Sequence, residues 1–347
     1  MPFLRFIHTL NIPVMKKLIL LFIAFLPLFA IAQVETTKKV KKKRSNQKNN
    51  IEANSLLWKI EGKKIKEPSY LFGTIHMIPE EDFFWPINTE DVIANCKRLT
   101  LEIDMANIED NMAAQMSMMM NIFMKDGVTL PKLLSEEDYL IVKNHFENGN
   151  LPIPQMMLDK IKPMFLSMMV SEEFDFLGGG ILGGAEEQET DETGSGIKSY
   201  EMEFMKIAEE NQMSTSGLES VEYQMSIFDS IPYKAQAKML IDAVNAEQDT
   251  TNNMSNQMDE MISTYKAQDI KALYSLLGQD EFGLEEYEDV LLIQRNKNWI
   301  PIMKAQITEM PTFFAVGAGH LGGPQGVLAL LRAEGFHLTP LSISNSK

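Results

Sequence analysis

The chain predicts an α/β fold, with a central mixed sheet assembled from its two ends and a long helical middle set between them. Three observations carry that expectation. Apolar runs of strand length, SLLWKI, SYLFG and RLTLEI, stand near the start, and TFFAV and FHLTPLSI stand near the end. Between them almost every apolar pattern repeats at helical spacing. The composition is 45% apolar over 347 residues, enough to bury one large core.

From Met15, which is itself a possible start, MKK precedes LILLFIAFLPLFAIA, a charged segment followed by an apolar one that ends in small residues. This predicts a signal peptide over residues 1–32, cleaved before Gln33, and an exported, periplasmic or extracellular protein. The other reading, an uncleaved anchor, is opposed by the short length of the run and by Pro27. Residues 33–52 read as a basic flexible linker whose lysine-rich part, 38–50, is either a solvated tether or a loose contact for an anionic membrane surface.

The ordered domain is expected over 53–345. Ser55–Ile60 and the SYLFG run form a hairpin across EGKK. A helix follows over Asn88–Cys96, then a strand over Arg98–Ile103. Met105–Lys125 is helical and rich in methionine, a pattern that suits either core packing or a flexible apolar groove. Ser135 opens the next helix as a cap, with Asp138 three residues on. Another covers Pro154–Phe174. The glycine-rich acidic stretch 178–196 reads as a mobile loop. Helices are then expected over Ile197–Gln212, Val221–Ser230, Tyr233–Thr264, Asp269–Leu277 and Leu284–Ile307, with STSGLES a short strand-like step. The chain closes on strand, turn, helix and strand, with Pro324 at the start of the last helix and Gly335 just past it.

Charge and cysteine content exclude whole classes of function. Residues 51–347 carry 22 basic and 47 acidic side chains, a balance that repels nucleic-acid phosphate. The single cysteine, Cys96, excludes an internal disulfide and a cysteine-based zinc cage.

The chemistry is concentrated where strands end. FGTIH and VGAGH each finish an apolar run and each place a glycine three residues before a histidine, Gly73 with His76 and Gly317 with His320. Glycine there lets the backbone turn sharply as it leaves the sheet. Two imidazoles delivered to one crevice could meet at a metal ion or a substrate. The plainer alternative is two separate hydrogen-bonded histidines. Glu102, between Leu101 and Ile103, is an unexpected acid for a buried strand unless it is paired, for which Arg98 or Arg295 would serve, or used. Glu219 precedes a helix start, where an acid is also favoured by the helix dipole. Arg295 and Asn296 lie inside a long helix.

In order, LLWKIEGKKIKEPSYLFGTIHMIP, LTLEID, GIKSYEMEFMKIAEE with GLESVEYQ, RNKNW, and FFAVGAGHLGGPQGVLALLRAEGF make the chain resemble the TraB/GumN family. That family takes in Tiki-type metalloproteases and pheromone-shutdown proteins. The resemblance implies a sheet with helices on both faces, as in erythromycin esterases and ChaN-like haem-binding proteins. It also implies a site built from the two G-x-x-H motifs with Glu102, Glu219, Arg295 and Asn296. Members often carry an acid where this chain has Lys198.

The expectation is therefore an exported metal-dependent hydrolase, a peptidase. His76 and His320 would bind Mn, Co or Zn, with Glu102 or Glu219 as third ligand and the other as general base. Arg295 would stabilise an oxyanion or hold a substrate carboxylate. Two alternatives stay open: a protein that sequesters a peptide or haem-like ligand, and an esterase-type hydrolase using His76 and Glu102 without metal.

Overall fold

The structure is a computed structural model that describes residues 54–63, 65–76, 78–86, 88–104, 120–148, 153–170, 196–248, 254–277 and 287–341. The expected leader and linker, the methionine-rich stretch 105–119 and the loop expected at 178–196 (apart from Gly196) lie outside the described residues.

Six strands form one mixed sheet in the order β6-β4-β7-β2-β1-β8. They are β1 (Leu57–Glu61), β2 (Ser69–Thr74), β4 (Arg98–Ile103), β6 (Ser214–Glu219), β7 (Thr312–Gly317) and β8 (His337–Pro340). The hairpin is present, with Leu57 opposite Phe72 in an antiparallel pairing. β8 adds antiparallel to the other edge of β1. β7 lies parallel between β2 and β4, and β6 lies parallel to β4. The sheet is thus closed by joining the two ends of the ordered chain. Four strands, β2, β4, β6 and β7, point their carboxyl ends at one edge, the place where open α/β sheets build sites.

Both faces of the sheet are covered, which is why β7 is buried at every position and β4 nearly so. On one face Phe313 and Phe72 pack on Phe204 of α6 (Tyr200–Glu210), with ring centroids 4.9 and 5.1 Å apart. On the other, the Thr100 hydroxyl donates to Gln306 of α11 (Gln294–Glu309) at 2.8 Å. Alternation along the strand puts Thr100 and Glu102 on the α11 side.

The remaining helices are α1 (Thr89–Ala94), α2 (Leu130–Leu133), α3 (Glu136–Asn148), α4 (Gln155–Leu158), α5 (Pro163–Val170), α7 (Val221–Ile227), α8 (Tyr233–Gln248), α9 (Met254–Lys266), α10 (Ile270–Leu277) and α12 (Val327–Ala333). Ser135 caps α3 as expected, accepting from Asp138 N at 3.1 Å. No helix among the described residues is long and apolar enough to cross a membrane.

Several boundaries differ from expectation, each for a local reason. The helix expected over Pro154–Phe174 is split, because residues 160–162 leave it to pair with 122–124: Met124 N donates to Lys160 O at 2.7 Å and Lys162 N to Ile122 O at 2.9 Å. That pairing also stops the helix expected through Lys125. Of the helix expected over Tyr233–Thr264, the structure describes α8 to Gln248 and α9 from Met254, and residues 249–253 lie outside the described residues. Ile197–Lys198 form β5, pairing antiparallel with β3 (Ile78–Pro79), so α6 begins only after Ser199, which caps it. Pro324 sits in a turn ahead of α12 rather than at its first position. STSGLES is a full edge strand, β6. Gly335 does lie just past α12, at φ +88°, where the left-handed backbone favours glycine.

Candidate active site

The carboxyl edge of the parallel strands gathers Glu102 from β4, Glu219 from β6, and His76 and His320 from the segments leaving β2 and β7. Arg295 and Asn296 reach the same cluster from the first turn of α11. His76, Glu102, Arg295, Asn296 and His320 are all buried, with at most 5% exposure.

The two glycines act otherwise than as sharp-turn residues. Gly317 has ordinary backbone angles, φ −51° and ψ 133°, and Gly73 is not among the positive-φ residues. Gly73 is needed because a Cβ there would stand 3.0 Å from Ala318 Cα and 2.9 Å from Leu321 Cδ2. Its bare backbone lets the His320 turn sit directly against β2. Gly317 instead donates its N–H to Glu102 Oε1 at 2.8 Å.

Arg295 is the centre of the cluster. Its Nε and Nη2 meet Glu219 Oε1 at 3.1 and 2.7 Å, and Nη2 also pairs with Glu102 Oε2. Nη1 donates to Leu291 O at 3.2 Å and to His320 Nε2 at 3.1 Å. All five guanidinium donors are thereby placed, and the plane lies 4.9 Å over the Trp299 ring. Burial alone would lower the Arg295 pKa, but Glu102 and Glu219 raise it. Its partner is thus the pair of acids, while Arg98 pairs with Glu309. A role for Arg295 on substrate would require it to give up one of these bonds.

The two acids are held differently. Burial works against ionising Glu102, yet the Arg295 charge, the nearby histidines and the Gly317 N–H outweigh it and hold its carboxyl down at about 2. Glu219 receives Arg295 on both oxygens, Nε reaching Oε2 at 3.2 Å, and Trp299 Nε1 adds a bond to Oε2 at 2.9 Å. For it, burial and the neighbouring Glu102 charge prevail, and its pKa is raised.

The histidines are also unlike. His320 Nδ1 faces Asn296 Oδ1 at 2.7 Å, while Asn296 Nδ2 donates to Gln325 O at 2.9 Å. Nδ1 therefore carries the proton, and Nε2 accepts from Arg295. Burial and the Arg295 charge push its pKa down to about 3, so the ring is neutral. His76 Nδ1 lies 2.7 Å from Glu201 Oε1, and its buried Nε2 has no hydrogen-bond partner among the described residues. Burial would lower its pKa; Glu201 and then Glu102 raise it overall. His76 acts electrostatically on both Glu102 and His320, so all three share one neighbourhood.

Glu201 is the residue that sequence reasoning missed. It lies in the first turn of α6, three positions after Lys198. Lys198 itself pairs with Glu80 at 3.2 Å and lies over Phe83. A capping serine followed two residues later by an acid was the available signal. Asp104, on the same face as Glu102 by parity, lies past the end of β4 and accepts from Thr215 at 3.4 Å.

The orphaned His76 Nε2 suits a metal ion. A neutral His320, a carboxylate at Glu102 3.8 Å from His320 Nε2, and a net negative trio of Glu102, Glu219 and Arg295 suit it as well. Among the described residues no three His, Cys, Asp or Glu side chains already converge as a ligand set. His76 Nε2 is therefore the donor already open, whereas His320 Nε2 and Glu102 would each have to give up a contact with Arg295 to reach an ion.

A model of the TraB/PrgY/gumN family matches residues 56–340. The chain is also similar to Metalloprotease TIKI1 of Homo sapiens, 24% identical over 326 residues, covering 83% of this chain and 62% of that protein. Metalloprotease TIKI1 of Danio rerio matches at 24% over 326 residues, with 82% and 63% covered, and that of Xenopus tropicalis at 23% over 354 residues, with 90% and 67% covered. The chain thus spans a little over three-fifths of the length of the first two relatives. No solved structure matches.

Proposed function

The chain belongs to the TraB/PrgY/gumN family, and from that premise we propose that it is an exported, metal-dependent hydrolase that cleaves peptide bonds. The observation that carries the reading is the buried, partnerless Nε2 of His76 beside Glu102 and His320. The relatives' name, metalloprotease, supports the reaction class. His76 and His320 would hold the ion, with Glu102 as third ligand; Mn, Co and Zn all suit nitrogen and oxygen donors together. Such an ion polarises a carbonyl and makes bound water more acidic.

The chain's own groups divide the remaining work. Glu219, with its raised pKa, takes up a proton more readily than Glu102 and is the better placed acid–base group. Arg295 keeps the two acids from repelling each other and holds them in register. Asn296 fixes the His320 tautomer. The low exposure of these side chains keeps bulk water from the cluster.

Metal analysis and calorimetric titration with Mn, Co and Zn, on wild type and on His76→Ala and His320→Ala, test the proposal together with cleavage of a peptide library. Stoichiometric metal and cleavage in wild type, both lost in each variant, are expected. Cleavage that persists in excess chelator, with no metal bound, overturns metal dependence. It would favour a second reading, in which the carboxylate-backed His76 is itself the general base of an esterase-type or peptide hydrolase.

A further inference from the structure

We infer that Glu201 is the positioning residue of the site: it locks His76 in the tautomer with the proton on Nδ1, leaving the Nε2 lone pair directed at the cluster. Nothing about metal content or turnover is needed for this, so it stands apart from the hydrolase reading.

The geometry is specific. Glu201 Oε1 lies 2.7 Å from His76 Nδ1 and 2.7 Å from Thr74 Oγ1, and Oε2 lies 3.2 Å from Ser199 Oγ. An ionised carboxylate only accepts, so a neutral His76 can satisfy this contact only by carrying its proton on Nδ1. Two hydroxyls and the imidazole together hold the carboxylate, which leaves it little freedom to turn away. Its place in the first turn of the eleven-residue α6 adds the favourable helix dipole.

The position of Glu201 is set by the backbone. Ile78, two residues beyond His76, pairs with Lys198, three residues before Glu201, and Glu80 N donates to Gly196 O at 2.8 Å. The β3–β5 ribbon therefore clamps the segment carrying the histidine to the segment carrying the acid. This explains why two residues of strand stand where the sequence presents the start of a helix. A surface ion pair would need no such clamp. At 14% and 3% side-chain exposure, Glu201 and His76 are also well withdrawn from solvent.

The test reads the imidazole directly. Long-range proton–nitrogen correlation spectra of the full chain, chelator-treated and at alkaline pH, report which ring nitrogen of His76 carries hydrogen. Wild type should show Nδ1–H with a bare Nε2. Glu201→Ala should shift His76 toward the Nε2–H form, while Glu201→Gln, whose amide oxygen still accepts, should retain Nδ1–H. His320, held by Asn296, should be unchanged in both. Titration with Zn or Mn should show a loss of about 10- to 100-fold in affinity for Glu201→Ala, with partial rescue by Gln. A wild-type His76 protonated on Nε2 overturns the inference whether or not the variants fold, and so does an unchanged tautomer in a folded Glu201→Ala. Absence of metal binding in every protein would sink the metal-dependent reading, while the tautomer result would still decide this one.

Discussion

Arg295 gathers more of the site than any other side chain, and its removal should be costly in a characteristic way. Arg295→Ala leaves Glu102 and Glu219 buried side by side without their common counter-charge, so a loss of about 3–5 kcal/mol in stability to denaturant is expected. Arg295→Lys should recover only part of it, because an ammonium cannot fill five directed donor positions. The metal-free protein should also be acid-labile. His320 is held down to about 3 from an ordinary 6.5, so the unfolded chain binds the extra proton between those values, and stability falls as pH drops through that window. Glu102, held down to about 2 from an ordinary 4.5, contributes stability that is present above 4.5 and lost on going lower. Denaturation midpoints across pH should therefore begin to fall near 6.5, and His320→Asn should flatten the upper part of that arm. At this scale the two histidines, Glu102 and Glu219 stood out locally, at strand ends and as an acid inside an apolar strand, whereas Arg295 and Asn296 on their polar helix face were singled out only by the family resemblance. Glu201 was not legible, since its partner lies 125 positions away and only pairing across the ribbon brings them together.

Among the elements, the short ones matter most for the site. Gly73→Ala would press a methyl into the backbone of the His320 turn at 3.0 Å, which cannot swing aside as a flexible side chain would. A loss of about 1–3 kcal/mol is expected, with metal affinity falling at the same time because both histidine segments must part. Thermal melts and metal titration of the same variant check the two effects together. Ser199→Ala removes the cap of α6 and a donor to Glu201, at about 1 kcal/mol in stability. Strands β1, β2, β4, β7 and β8 were readable from their apolar runs, and the cap of α3 from Ser135 and Asp138. Helix limits were readable only where the chain itself ends a helix, as at Gly335. Where a distant segment pulls residues out of a helix, as 122–124 pull 160–162, nothing in the local pattern announces it.

At the scale of the whole molecule, the α/β class and the joining of the two ends were evident in the distribution of apolar runs. The strand order was not, because apolar strands buried on both faces carry no mark of their neighbours. The acidic body, with 22 basic against 47 acidic side chains over residues 51–347, should draw in cationic substrates. Added salt should therefore slow cleavage of a basic peptide more than of a neutral one of the same length, and equal salt dependence would count against such steering. The position of β7 has a consequence in time. The strand that lies between β2 and β4 is made after both, once some two hundred further residues have left the ribosome. Until then the nascent chain holds two apolar strands with unfilled inner edges, a hazard for misassociation, and it lacks His320 altogether. The order of synthesis thus leaves the buried cluster incomplete until β7 and the turn behind it have been made.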